Sequence, residues 1–228
     1  MAGARRRGPE ADAASQEEAG EEAVTGAFIV FEGGDAVGKT TQVERLSAWL
    51  TQREAPHLTT RQPGGTQVGN ELRRLVLDPA MGHVDARAEA LMYAADKAQH
   101  VHELIAPALE RGETVVCDRY VDSMIAYQGA GRALDIEDVA RIAWWAVDGL
   151  RPHLTVLLDA DPSDAVEGLS EKDRLEGAGI ALHRRARHFF LDLAAQDPER
   201  YLVLDARATR DELAGAIAAR VGALLGFA

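Results

Sequence analysis

Residues 27–41, AFIVFEGGDAVGKTT, constrain this chain more than any other stretch. A short apolar run over 27–31 ends in Gly33-Gly34-Asp35-Ala36-Val37-Gly38-Lys39-Thr40, and Val43, Leu46 and Leu50 then recur at helical spacing. Strand, glycine-rich turn and helix start, in that order, are the setting in which the pattern GxxxxGK[ST] cradles phosphate. Glycines are needed because backbone N–H groups must curl round phosphate oxygens that a side chain would obstruct. The helix start adds unpaired donors and the positive end of its dipole. Lys39 then reaches the outer phosphates, and the Thr40 hydroxyl is a ligand for Mg²⁺. The whole run from Gly33 through Gly34, Asp35, Ala36, Val37, Gly38 and Lys39 to Thr40 is thus the expected binding loop for a nucleoside triphosphate.

Length and charge narrow the field. A chain of 228 residues suits one α/β domain with a sizeable core. A net charge of −12 argues against a nucleic-acid partner, which needs a basic stripe. A small anion in a local basic pocket stays compatible with it. The lone Cys117 excludes an intrachain disulfide framework and suits a reducing compartment, so a cytoplasmic location is expected. No apolar stretch approaches the roughly 18 residues of a spanning helix, so no membrane segment is expected. The histidines show no metal-finger spacing, and His100 and His102, two apart, face different sides of a helix.

Residues 1–24 carry Ala, Gly and Glu with almost nothing large and apolar, which predicts a disordered tail. Arg5-Arg6-Arg7 is followed by acidic residues rather than an apolar run, so it does not read as a targeting signal. Beyond the phosphate loop the spacing predicts a strand at 57–61 and a turn at Pro63-Gly64-Gly65, with Thr66 capping the next helix. A long helix over about 85–111 is expected to break or restart near Pro107. Strands follow at 114–117, 154–158 and 201–204, separated by helices at about 135–148 and after 180, with Gly129-Ala130-Gly131 expected to interrupt the chain. Residues 168–179 have no clear period and read as a mobile loop. Strands alternating with helices predict a parallel sheet covered on both faces.

In such sheets ligands bind beyond the carboxyl ends of the strands. The phosphate loop, the Arg61 segment and Asp118-Arg119 all fall there. An aspartate that ends an apolar strand (VVCD) beside a phosphate loop is the usual partner of the metal or its waters, so Asp118 joins Thr40 as a metal-ligand candidate. Arg119 follows it and points near the same place. Asp35 is out of character in a pure phosphate cradle, because it repels the anion; a hydroxyl donor from a second substrate would account for it, and points to a kinase rather than an ATP-driven switch.

At this point the motifs FEGGDAVGKTTQ, RQPGGTQVGNELRRLVLD, EALMYAADKAQHV, CDRYVDSMIAYQGAGR and DRLE, in this order over residues 27–227, resemble the bacterial thymidylate kinase family. The resemblance implies a P-loop nucleoside-monophosphate-kinase fold with a five-stranded parallel sheet and a small lid at about 166–179, in a domain covering 25–228. It implies transfer of the ATP γ-phosphoryl group to dTMP with Mg²⁺, in a homodimer. By position, Asp35 faces the acceptor sugar, and Arg73 and Arg119 hold the dTMP phosphate with Arg61 as a weaker candidate. Tyr93 stacks on thymine, and Ser123 and Gln128 lie in the segment that contacts base and sugar. Trp144-Trp145 suits a subunit interface.

Three departures from the family pattern carry chemical consequences. Lys97 stands where an arginine contacts the base, keeping the charge without the fork. Met124 replaces a small polar residue beside Ser123 and is expected to crowd the nucleoside. The phosphate loop has Ala36 where some relatives carry an arginine, leaving Arg174, supported by Lys172, as the lid charge at transfer. These departures keep two alternatives open: a kinase for another pyrimidine monophosphate, or a nucleotide-binding domain with little transfer activity.

Overall fold

The computed structural model describes residues 26–131, 134–165 and 179–227. The expected tail (1–24) and the expected lid, with Lys172 and Arg174, lie outside the described residues apart from Gly179. The chain runs β1 (Phe28–Gly33), α1 (Lys39–Thr51), β2 (His57–Arg61), α2 (Gln67–Leu77), α3 (Ala86–His100), α4 (Ala106–Glu110), β3 (Thr114–Asp118), α5 (Val121–Met124), α6 (Ile136–Ala146), β4 (Leu154–Asp159), α7 (Pro162–Ala165), α8 (Ile180–Gln196), β5 (Tyr201–Asp205) and α9 (Arg210–Leu225).

The five strands form one parallel sheet in the order β2-β3-β1-β4-β5. β1 is central and buried throughout, while the edge strands β2 (HLTTR) and β5 (YLVLD) are partly exposed. Successive side chains of a strand leave on opposite faces, and β1 divides accordingly. Phe28 and Val30 join Val115 and Cys117 in a core covered by α3, α4, α5 and α6. Ile29 and Phe31 join Val116, Val156 and Leu158 beneath α1 and α9. The chain passes from β1 to β2 and β3 on one side and then to β4 on the other, so β1 sits at the switch point of the sheet, where a crevice opens beyond its carboxyl end. The loop 34–38 leaves from there.

Two helical stretches contain π-helical turns. The long helix restarts near Pro107 as the spacing predicts: it widens into a π-helical turn at Val101–Ile105, and α-helix resumes at Ala106 with Pro107 in the first turn of α4. Proline lacks the N–H for an α-helical bond and its ring clashes with the carbonyl four residues back, so a widened turn ahead of it relieves both problems. Gly129-Ala130-Gly131, expected to interrupt the chain, is itself helical. α5 continues into a π-helical segment, Ile125–Gly131, that is largely buried. A Cβ on Gly131 would lie 3.1 Å from Leu182 Cγ, so this glycine serves close packing against α8.

Candidate active site

The phosphate loop starts from a backbone that no side chain tolerates. Gly33 has φ 132°, and a Cβ there would sit 2.3 Å from the Leu158 carbonyl oxygen. Gly38, at φ 92°, precedes α1, so Lys39 and Thr40 open the helix with their backbone donors facing the loop. Lys39 is buried and its Nζ donates to the carbonyls of Gly33, at 3.3 Å, and Gly34. Burial, and then the nearby Arg119 charge, bring its ammonium down to about 8.

β3 delivers the acidic partner. Thr40 Oγ1 donates to Asp118 Oδ2 at 3.0 Å, and Asp118 Oδ1 is buried with no hydrogen-bond partner among the described residues. Arg119 follows in a left-handed conformation, φ 68°, which turns its guanidinium back over β1. Nη1 donates to Gly33 O and Ser123 Oγ, both at 3.0 Å, and Nη2 pairs with the Asp35 carboxylate. The guanidinium lies 5.4 Å from the centre of the Tyr127 ring. Burial would raise the Asp35 carboxyl, but the charges of Arg119 and Lys39 outweigh it and hold Asp35 below its ordinary value. Asp35 inside a phosphate cradle is thus answered by a partner from 84 residues away.

A cleft of about 780 Å³ runs from this pair. Its walls include Asp35, Ala36, Lys39, Thr40, Asp118 and Arg119 on the phosphate-loop side, with Arg61, Arg73, Tyr93, Lys97, Ser123, Met124 and Gln128 completing it. Asp35, Ala36, Lys39 and Thr40 therefore share one cavity with the residues expected to hold the second substrate, whereas Gly33, Gly34 and Val37 line a smaller neighbouring pocket with Tyr127, His183 and Arg187. Arg73, on α2, donates from Nη1 to Pro63 O at 2.9 Å. Tyr93 and Lys97, one helical turn apart on α3, are both buried. Arg61 ends β2 with an exposed side chain. Gln128 is buried and donates to Glu89 Oε1 at 3.0 Å. Met124 is 1% exposed and packs among Tyr120, Val121 and Ile125, so it belongs to the core as much as to the cleft wall.

Behind Lys97 and the cleft wall lie several polar groups that the sequence does not single out as site residues. Lys97 Nζ donates to Gln62 Oε1 at 2.9 Å, Gln62 Nε2 donates to His100 Nδ1 at 2.8 Å, and His100 Nε2 lies 2.7 Å from Thr60 Oγ1. Burial and the Lys97 charge bring His100 down to about 4, so it is neutral, with its proton on Nε2. Gly64 N donates to Asp96 Oδ1 at 2.8 Å, tying the Pro63-Gly64-Gly65 turn to α3. Glu32, hidden in an otherwise apolar strand, accepts from Tyr120 N and Ser123 N. A carboxylate inside a strand's apolar run was the only available sign of it.

A family model described as thymidylate kinase matches residues 31–217. The chain belongs to the thymidylate kinase family. Among its relatives in that family, a thymidylate kinase of Cutibacterium acnes is 58% identical over 200 residues, which are 88% of this chain and 98% of that protein. One from Deinococcus radiodurans is 49% identical, over 86% of this chain and 96% of its own length. A crystal structure of thymidylate kinase from Ehrlichia chaffeensis superposes with a TM-score of 0.64 at 30% identity, covering 79% of this chain and 93% of that one. The thymidylate kinase fold, a five-stranded parallel sheet with helices on both faces, is therefore present as the motifs implied.

Proposed function

We propose that the cleft binds ATP and dTMP with their phosphates meeting beside Arg119, and that the domain carrying it begins near residue 25. As a thymidylate kinase the chain transfers the γ-phosphoryl group of ATP to dTMP, giving dTDP and ADP. The observation that carries the residue assignments is the continuity of the cavity: Lys39 and Thr40 line the same cleft as Tyr93, Lys97 and Gln128, and Arg119 lines it with them. Phosphoryl transfer needs alignment and charge neutralisation more than a covalent intermediate, and one cleft lined by a phosphate loop and further arginines provides both.

The loop 33–40 binds the ATP phosphates, with Lys39 Nζ leaving the Gly33 and Gly34 carbonyls for a phosphate oxygen. Arg73 and Arg119 hold the dTMP phosphate, whose oxygen attacks the γ-phosphorus while the bond to the ADP oxygen breaks. A guanidinium suits that phosphate because its planar fork binds two oxygens at once. Asp35 orients Arg119 and accepts from the acceptor sugar. Tyr93 stacks on the base, Lys97 faces its polar edge, and Ser123 and Gln128 complete the nucleoside site, with Arg61 at its rim. Arg174, on the expected lid, supplies further charge at transfer.

Mg²⁺ fits the donor set. The Thr40 hydroxyl and the Asp118 carboxylate are hard oxygen donors at the loop, and Asp118 Oδ1, without a hydrogen-bond partner among the described residues, suits a cation or its water. No group of three or more His, Cys, Asp or Glu side chains among the described residues forms a metal cage, which accords with an ion held mainly by phosphates and water. When bound with ATP, the ion neutralises charge on the β- and γ-phosphates.

We also assign a homodimer, on the exposed apolar side chains Val68, Leu91 and Trp145 of α2, α3 and α6, helices that pack side by side. The lone, buried, free Cys117 supports a cytoplasmic location for the chain. No helix among the described residues is long and apolar enough to cross a membrane. ADP release with Mg-ATP and each of dTMP, dUMP, UMP and CMP tests the reading: turnover should be strongest with dTMP, and ATP binding without turnover on any acceptor would overturn it.

A further inference from the structure

Glu32 is the one carboxylate of β1, and it is fully buried. A carboxylate in a sheet interior costs several times what a leucine would gain there, unless every lone pair finds a donor. Here the donors all come from one place. Tyr120 N donates to Oε1 at 2.9 Å, Ser123 N donates to Oε1 at 3.2 Å, and Ser123 Oγ donates to Oε2. Those groups belong to the turn that follows Arg119 and to the first turn of α5. Ser123 Oγ in turn accepts from Arg119 Nη1. The residues flanking Glu32 grip the same arginine: Arg119 N donates to Phe31 O at 2.9 Å, and Arg119 Nη1 donates to Gly33 O. Glu32 itself does not line the cleft.

We propose that Glu32 is a positioning residue for phosphoryl transfer: it fixes the left-handed turn at Arg119 and, through the Ser123 hydroxyl, sets the direction of the guanidinium. The inference rests on Arg119 as a phosphate-binding group. Two features favour it over a purely structural role. Arg119 holds a backbone conformation uncommon for a side-chain-bearing residue, so something must over-determine it, and Glu32 accepts from the backbone N–H of the very next residue. The Ser123 hydroxyl has one proton; donating it to Glu32 leaves its lone pairs facing Arg119, so the carboxylate dictates which way the hydroxyl works. Burial, reinforced by Asp122, pushes the Glu32 carboxyl upward, so the hydrogen bonds from Tyr120 and Ser123 are what hold this buried acid in place.

The test is a double-mutant cycle on the full chain, with Glu32→Gln, Arg119→Ala and the pair, read by single-turnover transfer to dTMP and by KM for each nucleotide. Glu32→Gln keeps the shape but presents an amide donor to Ser123 Oγ, which then loses its fixed polarity. The expected result is a fall of about 10- to 100-fold in the transfer rate with KM for ATP within about twofold. In the Arg119→Ala background the same substitution should cost less than about twofold. Equal losses in both backgrounds, or an unchanged rate in folded Glu32→Gln, would overturn the proposal. If Glu32→Gln melts below the assay temperature, Glu32→Asp enters the same cycle, and failure of both to fold would make Glu32 a folding residue and end the proposal. Transfer by the parent chain and its loss in Arg119→Ala report on the proposed function separately from the outcome of the cycle.

Discussion

Thr40 Oγ1 and Asp118 Oδ2 lie 3.0 Å apart, joining the first turn of α1 to the last residue of β3. One oxygen of Asp118 is spent on that bond and the other, Oδ1, is buried without a partner among the described residues. A buried, unpartnered carboxylate oxygen is costly unless the working state supplies a cation or a water. Asp118→Asn should therefore leave the fold intact and raise the Mg²⁺ concentration for half-maximal ADP release by about 10- to 100-fold, the range seen when groups orienting a metal are removed. A Mg²⁺ titration at fixed ATP checks this; an unchanged midpoint would take Asp118 out of the metal site.

Lys39 combines burial with carbonyl partners that it must release to meet a phosphate. Lys39→Ala removes a desolvated charge, so the melting temperature should hold or rise slightly, while transfer should fall by about 10²-fold or more. Coupled ADP release beside thermal denaturation separates the two effects. Retained turnover in the variant would sink the phosphate-loop assignment.

How much of this was legible in the sequence follows from distance along the chain. The phosphate loop could be read because strand, glycines and helix start are contiguous, and Asp118 and Arg119 because they end an apolar run. Asp35 was legible as an oddity, but its answer, Arg119, lies 84 residues on and only the adjacency of β1 and β3 brings them together. Glu32 was passed over for the same reason: its donors come from residues 120 and 123, and in the sequence it is one acidic letter inside a strand. The π-helical segments at Val101–Ile105 and Ile125–Gly131 escaped because an extra residue per turn leaves a 3.6-residue apolar period only locally disturbed.

Met124 was expected to crowd the nucleoside, and it does line the cleft, yet its side chain is almost wholly buried among Tyr120, Val121 and Ile125. Met124→Ser should therefore destabilise the chain by about 2–5 kcal/mol, since it deletes a packed side chain and leaves a hydroxyl in its place. Met124→Leu, close in volume, should stay within about 1.5 kcal/mol of the parent. Urea denaturation of both variants decides. A Met124→Ser protein as stable as its parent would mean that the side chain contributes little to the core.

Trp145 is 82% exposed although it follows the partly buried Trp144, whose ring is covered by Arg151 at 4.3 Å. An indole left in water on α6, which packs against α3 with its exposed Leu91 as α3 in turn packs against α2 with its exposed Val68, suits an interface core. Trp145→Glu should convert the assigned dimer to a monomer at micromolar concentration without altering the melting of the monomer, because a charge there is already solvated. Light scattering across a dilution series measures it. A parent chain that is monomeric throughout would remove the homodimer.

Glu32 and His100 give stability opposite slopes with pH. Burial and Asp122 push Glu32 from an ordinary 4.5 to about 7, so between those values the folded chain holds a proton that the unfolded chain has released, and stability falls as pH rises through the window. Burial and Lys97 take His100 from 6.5 down to about 4, so there the unfolded chain holds the extra proton and stability falls as pH drops. Between about 4.5 and 6.5 the two contributions offset each other in the parent protein. Glu32→Gln removes one of them and leaves the other. Its stability relative to the parent should rise from pH 5 to pH 8 by up to about 3 kcal/mol, since each tenfold difference in proton affinity between the folded and unfolded chain is worth about 1.4 kcal/mol. Urea denaturation at both pH values checks the sign. Parallel curves for the two proteins would mean that Glu32 ionises in the folded state as it does in the unfolded chain, and that its hydrogen bonds to Tyr120 and Ser123 fully compensate for its burial.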